Sequence, residues 1–221
     1  MKLLIQAVIK YLSGLLVTGL ILFLPAGTLD YPSGWLFIGL LFLPMLILGT
    51  VLFLKAPGLL EKRLRTKEVQ MEQIQVIALS SLLFVGGFVL AGLDFRFGWT
   101  KVPAGIVVAA SILLVVSYGL YAEVMRENAW LSRSVEIQED QQVIDTGLYG
   151  VVRHPMYAVT ILLFLSIPLV LGSWVAFGIF LAYPMLLVKR IKNEERLLAA
   201  ELPGYTDYQK KVTYRLFPFL W

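Results

Sequence analysis

The 221-residue chain contains no cysteine and one histidine, His154. The first absence excludes disulfides, thiolate metal ligands and a cysteine nucleophile, and the second excludes a multi-histidine metal centre. A catalytic metal held by nitrogen or sulfur is therefore not expected. Charge is scarce as well, at 15% of residues, where soluble domains carry about 25%. Internal repeats and low-complexity tracts are absent, and so is the glycine fingerprint of a dinucleotide-binding βαβ unit. What remains is apolar. Hydrophobic residues make up 58% of the chain and the mean hydropathy is +0.78. In water such a chain would leave far too much of its surface greasy, so composition specifies an integral membrane protein, and the lengths of its apolar runs make it all-α.

Four apolar runs, at residues 3–24, 35–54, 74–93 and 102–121, approach the about 20 residues that carry a helix across a bilayer core. They read as four full transmembrane helices. The first carries Lys2 and Lys10 but no small-residue cleavage site before Pro25, so it reads as a retained helix rather than a signal peptide. A fifth apolar stretch, 156–188, is interrupted by Leu171-Gly172-Ser173. It reads as a broken helical hairpin, either two short spans or a dip into the membrane, bent by Pro168 and Pro184. The chain thus divides into a transmembrane region, 1–122, and a C-terminal region, 123–221, that ends in a polar tail.

The bases set the orientation. Of nineteen Lys and Arg residues, only Arg96 and Lys101 fall on the side opposite the other seventeen. By the positive-inside rule both termini are cytoplasmic. The net charge of +4 is then a topology feature, and a nucleic-acid partner is not expected. Thirteen of the fifteen acidic residues share the basic side, which places the chemistry there too.

Two polar regions flank the hairpin, 123–157 and 189–221, and its geometry brings them together. In the first, Pro155 keeps His154 out of helical geometry and is well suited to begin a helix, so His154 reads as a cap over free backbone N–H groups. Such a terminus attracts anions, and Arg153 adds a fork of donors for carboxylate or phosphate. Alternatively, Arg153 and His154 touch lipid headgroups while Tyr149 and Tyr157 join an aromatic belt.

In the second region, advancing about 100° per residue from Ile191 places Leu187, Leu198 and Leu202 within about 40° of it, with Lys189, Lys192 and Arg196 turned away. Glu194 and Glu195 fall on the apolar side, where a charge needs a partner or a polar ligand. They can pair with Arg190 and with a base of the preceding loop, or they can line a pocket that holds an ammonium or hydroxyls. Beyond Pro203-Gly204, the aromatic residues from Tyr205 and Tyr208 to Trp221 suit either an interfacial anchor or stacking on a flat ring or sulfonium cation.

These residues resemble the isoprenylcysteine carboxyl methyltransferase family in its broad bacterial branch. The likeness lies in Gly147-Leu148-Tyr149, Arg153-His154-Pro155-Met156-Tyr157, Glu194-Glu195 with Leu198, Gly204-Tyr205, Tyr208, Arg215, Pro218 and Trp221. It covers roughly the last 80 residues, and Pro57-Gly58-Leu59-Leu60-Glu61-Lys62-Arg63 follows the second span in the same manner. The resemblance implies a multi-pass membrane enzyme, inner-membrane in a bacterium, that binds S-adenosylmethionine on the cytoplasmic side and takes a lipid-like or prenylated acceptor from the bilayer. It implies that His154, Pro155, Tyr157, Glu194, Glu195, Tyr205 and Tyr208 form the cofactor pocket. Arg153, Arg215 and Glu195 would be catalytic, the arginines binding the cofactor carboxylate or orienting an acidic substrate. Carboxyl O-methylation is the expected reaction. Phospholipid N-methyltransferases and NADPH-dependent sterol reductases carry similar C-terminal motifs, and a membrane chaperone or permease is the non-enzymatic alternative.

Overall fold

The structure, a computed structural model, describes residues 2–64, 71–131 and 137–221. Arg65, Lys67 and Arg133, counted above among the bases of one side, lie outside the described residues. The described residues form α1 (Lys2–Ala26), α2 (Pro32–Lys55), α3 (Pro57–Leu64), α4 (Met71–Phe97), α5 (Ala104–Glu127), a short 3-10 turn (Gly147–Gly150), α6 (Pro155–Val170), α7 (Trp174–Phe180), α8 (Tyr183–Glu201) and α9 (Tyr205–Lys211).

Proline positions several boundaries. Pro32 and Pro155 begin α2 and α6, where the missing N–H deprives no carbonyl of a partner. Pro184 lies in the first turn of α8, so it starts that helix instead of bending it. Pro168 is inside α6 and fully buried.

Five segments are long and apolar enough to cross a membrane: Lys2–Ala26, Pro32–Lys55, Ile74–Phe97, Ala104–Glu127 and Trp174–Glu201. This is one more than the sequence suggested, because α7 and α8 together form a single long arm. The hairpin tip explains why. Tyr31 Oη donates to Leu171 O (2.7 Å), Trp174 N donates to Thr100 Oγ1 (3.1 Å), and Ser173 Oγ donates to buried Asp94. These bonds set residues 171–174 level with the α1–α2 and α4–α5 connections. The hairpin therefore runs the full depth of the bundle, and the 16 residues of α6 advance about 24 Å.

The most extensive pairings are α5 with α6 and α1 with α4. Their centre is apolar, with Leu22, Phe37, Ala91, Leu114, Ile167 and Phe180 buried together. Ser117 is buried in α5 and turns its hydroxyl back to Leu113 O (2.7 Å), which satisfies it without a partner helix. The outward faces of α1, α2 and α5 expose Leu16, Leu43, Ile47, Val108 and Ile112, the surface a bilayer would cover. The chain is a multi-pass membrane protein.

Candidate functional site

The site is built at the end of the bundle opposite the hairpin tip. It begins where Glu127, the last residue of α5, turns its carboxylate onto the 3-10 turn and accepts from Leu148 N (3.0 Å). The φ of +51° at 147 favours glycine, and a Cβ there would displace the Glu127 carboxylate, 1.4 Å away. The turn presents Tyr149, whose hydroxyl accepts from Asn128 Nδ2 (3.0 Å) and whose carbonyl accepts from Tyr208 Oη (2.7 Å).

Residues 153–154 are then held from the far end of the sequence, Arg153 N donating to Tyr214 O and His154 N to Arg215 O, both at 2.9 Å. His154 occupies the N-cap position of α6 as the Arg-His-Pro order predicts. Its side chain, however, caps nothing. The imidazole turns instead to Glu195, with Nε2 3.3 Å from Oε1. Arg153 is equally committed: Nε donates to Glu195 Oε1 (2.7 Å), while Nη1 donates to Val212 O (2.7 Å) and Thr213 O (2.9 Å). Arg215 Nε completes the cluster on Glu195 Oε2 (2.8 Å). Glu195 thus sits buried at the centre of three basic groups. This is the pairing with the preceding loop that the sequence offered as the structural alternative, extended by one tail arginine.

Glu194 faces another way. Arg190 Nε donates to Tyr157 Oη (2.9 Å), and Tyr157 Oη donates to Glu194 Oε2 (2.5 Å). This chain of bonds borders a cavity of about 100 Å³. Residues Arg153 to Tyr157 form one side, Arg190, Glu194 and Leu198 of α8 another, and Tyr205 and Tyr208 of α9 a third. The remaining wall comes from Asn128, Trp130, Gln141 and Gln142.

The structure therefore brings Arg153, His154, Pro155, Tyr157, Glu194, Tyr205 and Tyr208 to one cavity. Glu195 and Arg215 stand behind its lining, in the ionic cluster. The sequence reading missed the amide and tryptophan wall and named Arg190 only as an ion-pair partner. Residues 128–142 carry no helical periodicity, and the density of Asn, Gln and Trp there was the one available sign.

One feature of the lining points to a ligand. Tyr205 is 4% exposed, yet its hydroxyl has no hydrogen-bond partner among the described residues, and a buried hydroxyl left unpaired is unfavourable. Burial, reinforced by the nearby carboxylates Glu195 and Glu194, holds that hydroxyl well above the ordinary tyrosine range, so it stays protonated and able to donate. Burial does the same to Tyr208. At the rim, Lys211 Nζ pairs with Asp145 (2.7 Å) and lowers the carboxyl below its usual value.

Residues 105–200 match the model of the isoprenylcysteine carboxyl methyltransferase family. The match runs from α5 through α8, so it includes the Arg153–Tyr157 and Glu194–Glu195 segments and stops before α9. No curated protein matches the chain.

Proposed function

We propose that the chain, whose residues 105–200 match the isoprenylcysteine carboxyl methyltransferase family, transfers a methyl group from S-adenosylmethionine to a lipid-like or prenylated acceptor, most simply to its carboxylate. The family match supports a membrane methyltransferase. The cofactor and acceptor are the proposal. The observation that carries it is the unpaired, buried Tyr205 hydroxyl in a cavity that also presents Glu194, Arg190 and His154. Those groups fit a ligand bearing an ammonium, a carboxylate and hydroxyls. When bound, S-adenosylmethionine supplies a methyl group on a positively charged sulfur.

The chain's own part is to bind, orient and exclude water. Glu194, fixed by Tyr157, offers a carboxylate to a cation. Tyr205 offers an O–H to an acceptor atom. Trp130 and Tyr208 offer flat apolar area to a ring. An acceptor carboxylate is ionised near neutral pH and needs no general base, so alignment is the main requirement. Arg153 is best cast as a support whose guanidinium is already spent on Glu195 and two carbonyls. Glu195 and Arg215 act through it as positioning residues.

The test is ligand-dependent melting of the purified protein. S-adenosylhomocysteine at a hundredfold excess over its dissociation constant should add about 2.7 kcal/mol, whereas NADPH should add nothing. Tyr205→Phe and Glu194→Gln should reduce the shift while leaving the ligand-free melting temperature in place. No shift with S-adenosylhomocysteine would overturn the proposal, and a shift with NADPH alone would favour a reductase. Labelled S-adenosylmethionine with native lipid extract then identifies the acceptor by the species that gains one methyl group.

A further inference from the structure

Residues 215–221 fold back on themselves beside the site. Arg215 N and Leu216 N both donate to Trp221 O (2.8 and 3.1 Å), and Leu220 N donates to Phe217 O (3.2 Å). The Arg215 guanidinium lies 5.0 Å from the Trp221 ring centre while its Nε holds Glu195. Leu216, Phe217 and Trp221 pack inward on Tyr157, Leu187 and Ile191. The rest of the loop does the opposite. Phe219 is 91% exposed and Leu220 79%, and Phe219 has a φ of +65°, a left-handed backbone that a bulky residue adopts only under strain. A strained turn that pushes two large apolar side chains outward gains nothing in water.

Its position supplies the reason. The loop rests on the first turn of α6, the end farthest from the hairpin tip, and on the Leu187–Ile191 stretch of α8. From Trp174 at the tip to Ile191 the arm advances about 26 Å, close to the thickness of a hydrocarbon core at about 30 Å. Phe219 and Leu220 therefore emerge where acyl chains meet headgroups. Lys189 and Lys192 of α8 are exposed, a basic complement to an anionic lipid surface.

We propose that loop 215–221 is a bilayer-docking wedge: Phe219 and Leu220 enter the acyl region of an anionic leaflet, and this seating holds Arg215 against Glu195. The partner is the lipid surface, and the wedge makes the site's ionic cluster dependent on it.

The chain has no cysteine, so Phe219→Cys can be labelled singly with an environment-sensitive nitrobenzoxadiazole dye in vesicles of phosphatidylcholine and phosphatidylglycerol. Emission should be blue-shifted and quenched by acyl-chain nitroxides, while the same dye at exposed Asp207 should be quenched by aqueous iodide. Iodide quenching at position 219 equal to that at 207 would overturn the proposal. So would a blue shift lost on dilution of the protein in lipid, which would mean contact between copies of the chain. The coupling is read separately by amide hydrogen exchange. Phe219→Asp combined with Leu220→Asp should speed exchange at Arg215 and Leu216 by about tenfold or more in vesicles. Unchanged exchange would refute the link to the site and leave only an anchor.

Discussion

A single carboxylate organises the end of this molecule opposite the hairpin tip. Glu195 receives Arg153, His154 and Arg215 with almost no solvent access, so removing it strands buried positive charge. Glu195→Ala should destabilise by about 3–5 kcal/mol, read as a lowered melting temperature in detergent, and Arg153→Ala should be comparably harmful. Glu194→Gln should alter ligand binding far more than stability, because Glu194 is half-buried and meets Tyr157 at the cavity edge. Equal melting of the Glu195→Ala and Glu194→Gln variants would contradict this division. The two glycines flanking the site differ in the same way. Gly147→Ala meets a positive φ and pushes aside the Glu127 carboxylate that accepts from Leu148 N, so a loss of about 2–3 kcal/mol is expected. Gly204→Ala has a φ of +82° with nothing within 4 Å, and it should lose only about 1–2 kcal/mol of backbone preference.

The elements are held by contacts that hydropathy does not encode. On α4, a Cβ at Gly92 would lie 2.5 Å from the Leu22 carbonyl of α1, and one at Gly87 would lie 2.3 Å from the Phe180 ring of α7. Gly86, one residue away, faces open space. Gly92→Ala should therefore force α1 aside at a loss of about 1–3 kcal/mol, whereas Gly86→Ala should be neutral or slightly stabilising. Thermal unfolding of the two variants in one detergent checks the pair. The hairpin tip has its own latch. Ser173 caps α7 by accepting from Ala176 N (3.0 Å) and also donates to Asp94, so Ser173→Ala should lose about 1–2 kcal/mol and loosen the tip. Proteolysis near residues 171–174 would register that opening.

At the scale of the whole molecule, the bundle has a charged end and a tip end, and the arrangement of charge predicts its orientation. Asp30, Asp94 and Ser173 belong to the tip end, where the connections meet, and the tail with Lys210 belongs to the other. Cysteines placed singly at Asp30 and at exposed Lys210 should react with an impermeant maleimide from opposite sides of sealed vesicles, Lys210 from the cytoplasmic side. Reaction from one side only would overturn the orientation.

The amino-acid sequence by itself determined that the chain is helical and membrane-embedded, where the interruption at Leu171-Gly172-Ser173 falls, and which faces of α8 are apolar. Those properties follow from local composition and from periods of one helical turn. Arg153, His154 and the Glu194-Glu195 pair were legible as a group because their residue types and spacing are unusual in so apolar a chain. Only the tertiary structure decided which carboxylate is buried in an ion cluster and which faces the cavity. Adjacent residues on a helix diverge by about 100°, and their partners come from residues 153–157, 190 and 215, which the sequence does not place. The depth of the hairpin within the bundle was hidden for a related reason. A short apolar run does not say how far along its neighbours it reaches, and here the bonds that join residues 171–174 to Tyr31, Thr100 and Asp94 place the tip level with the adjoining connections, because buried polar groups bond only where the fold brings their partners.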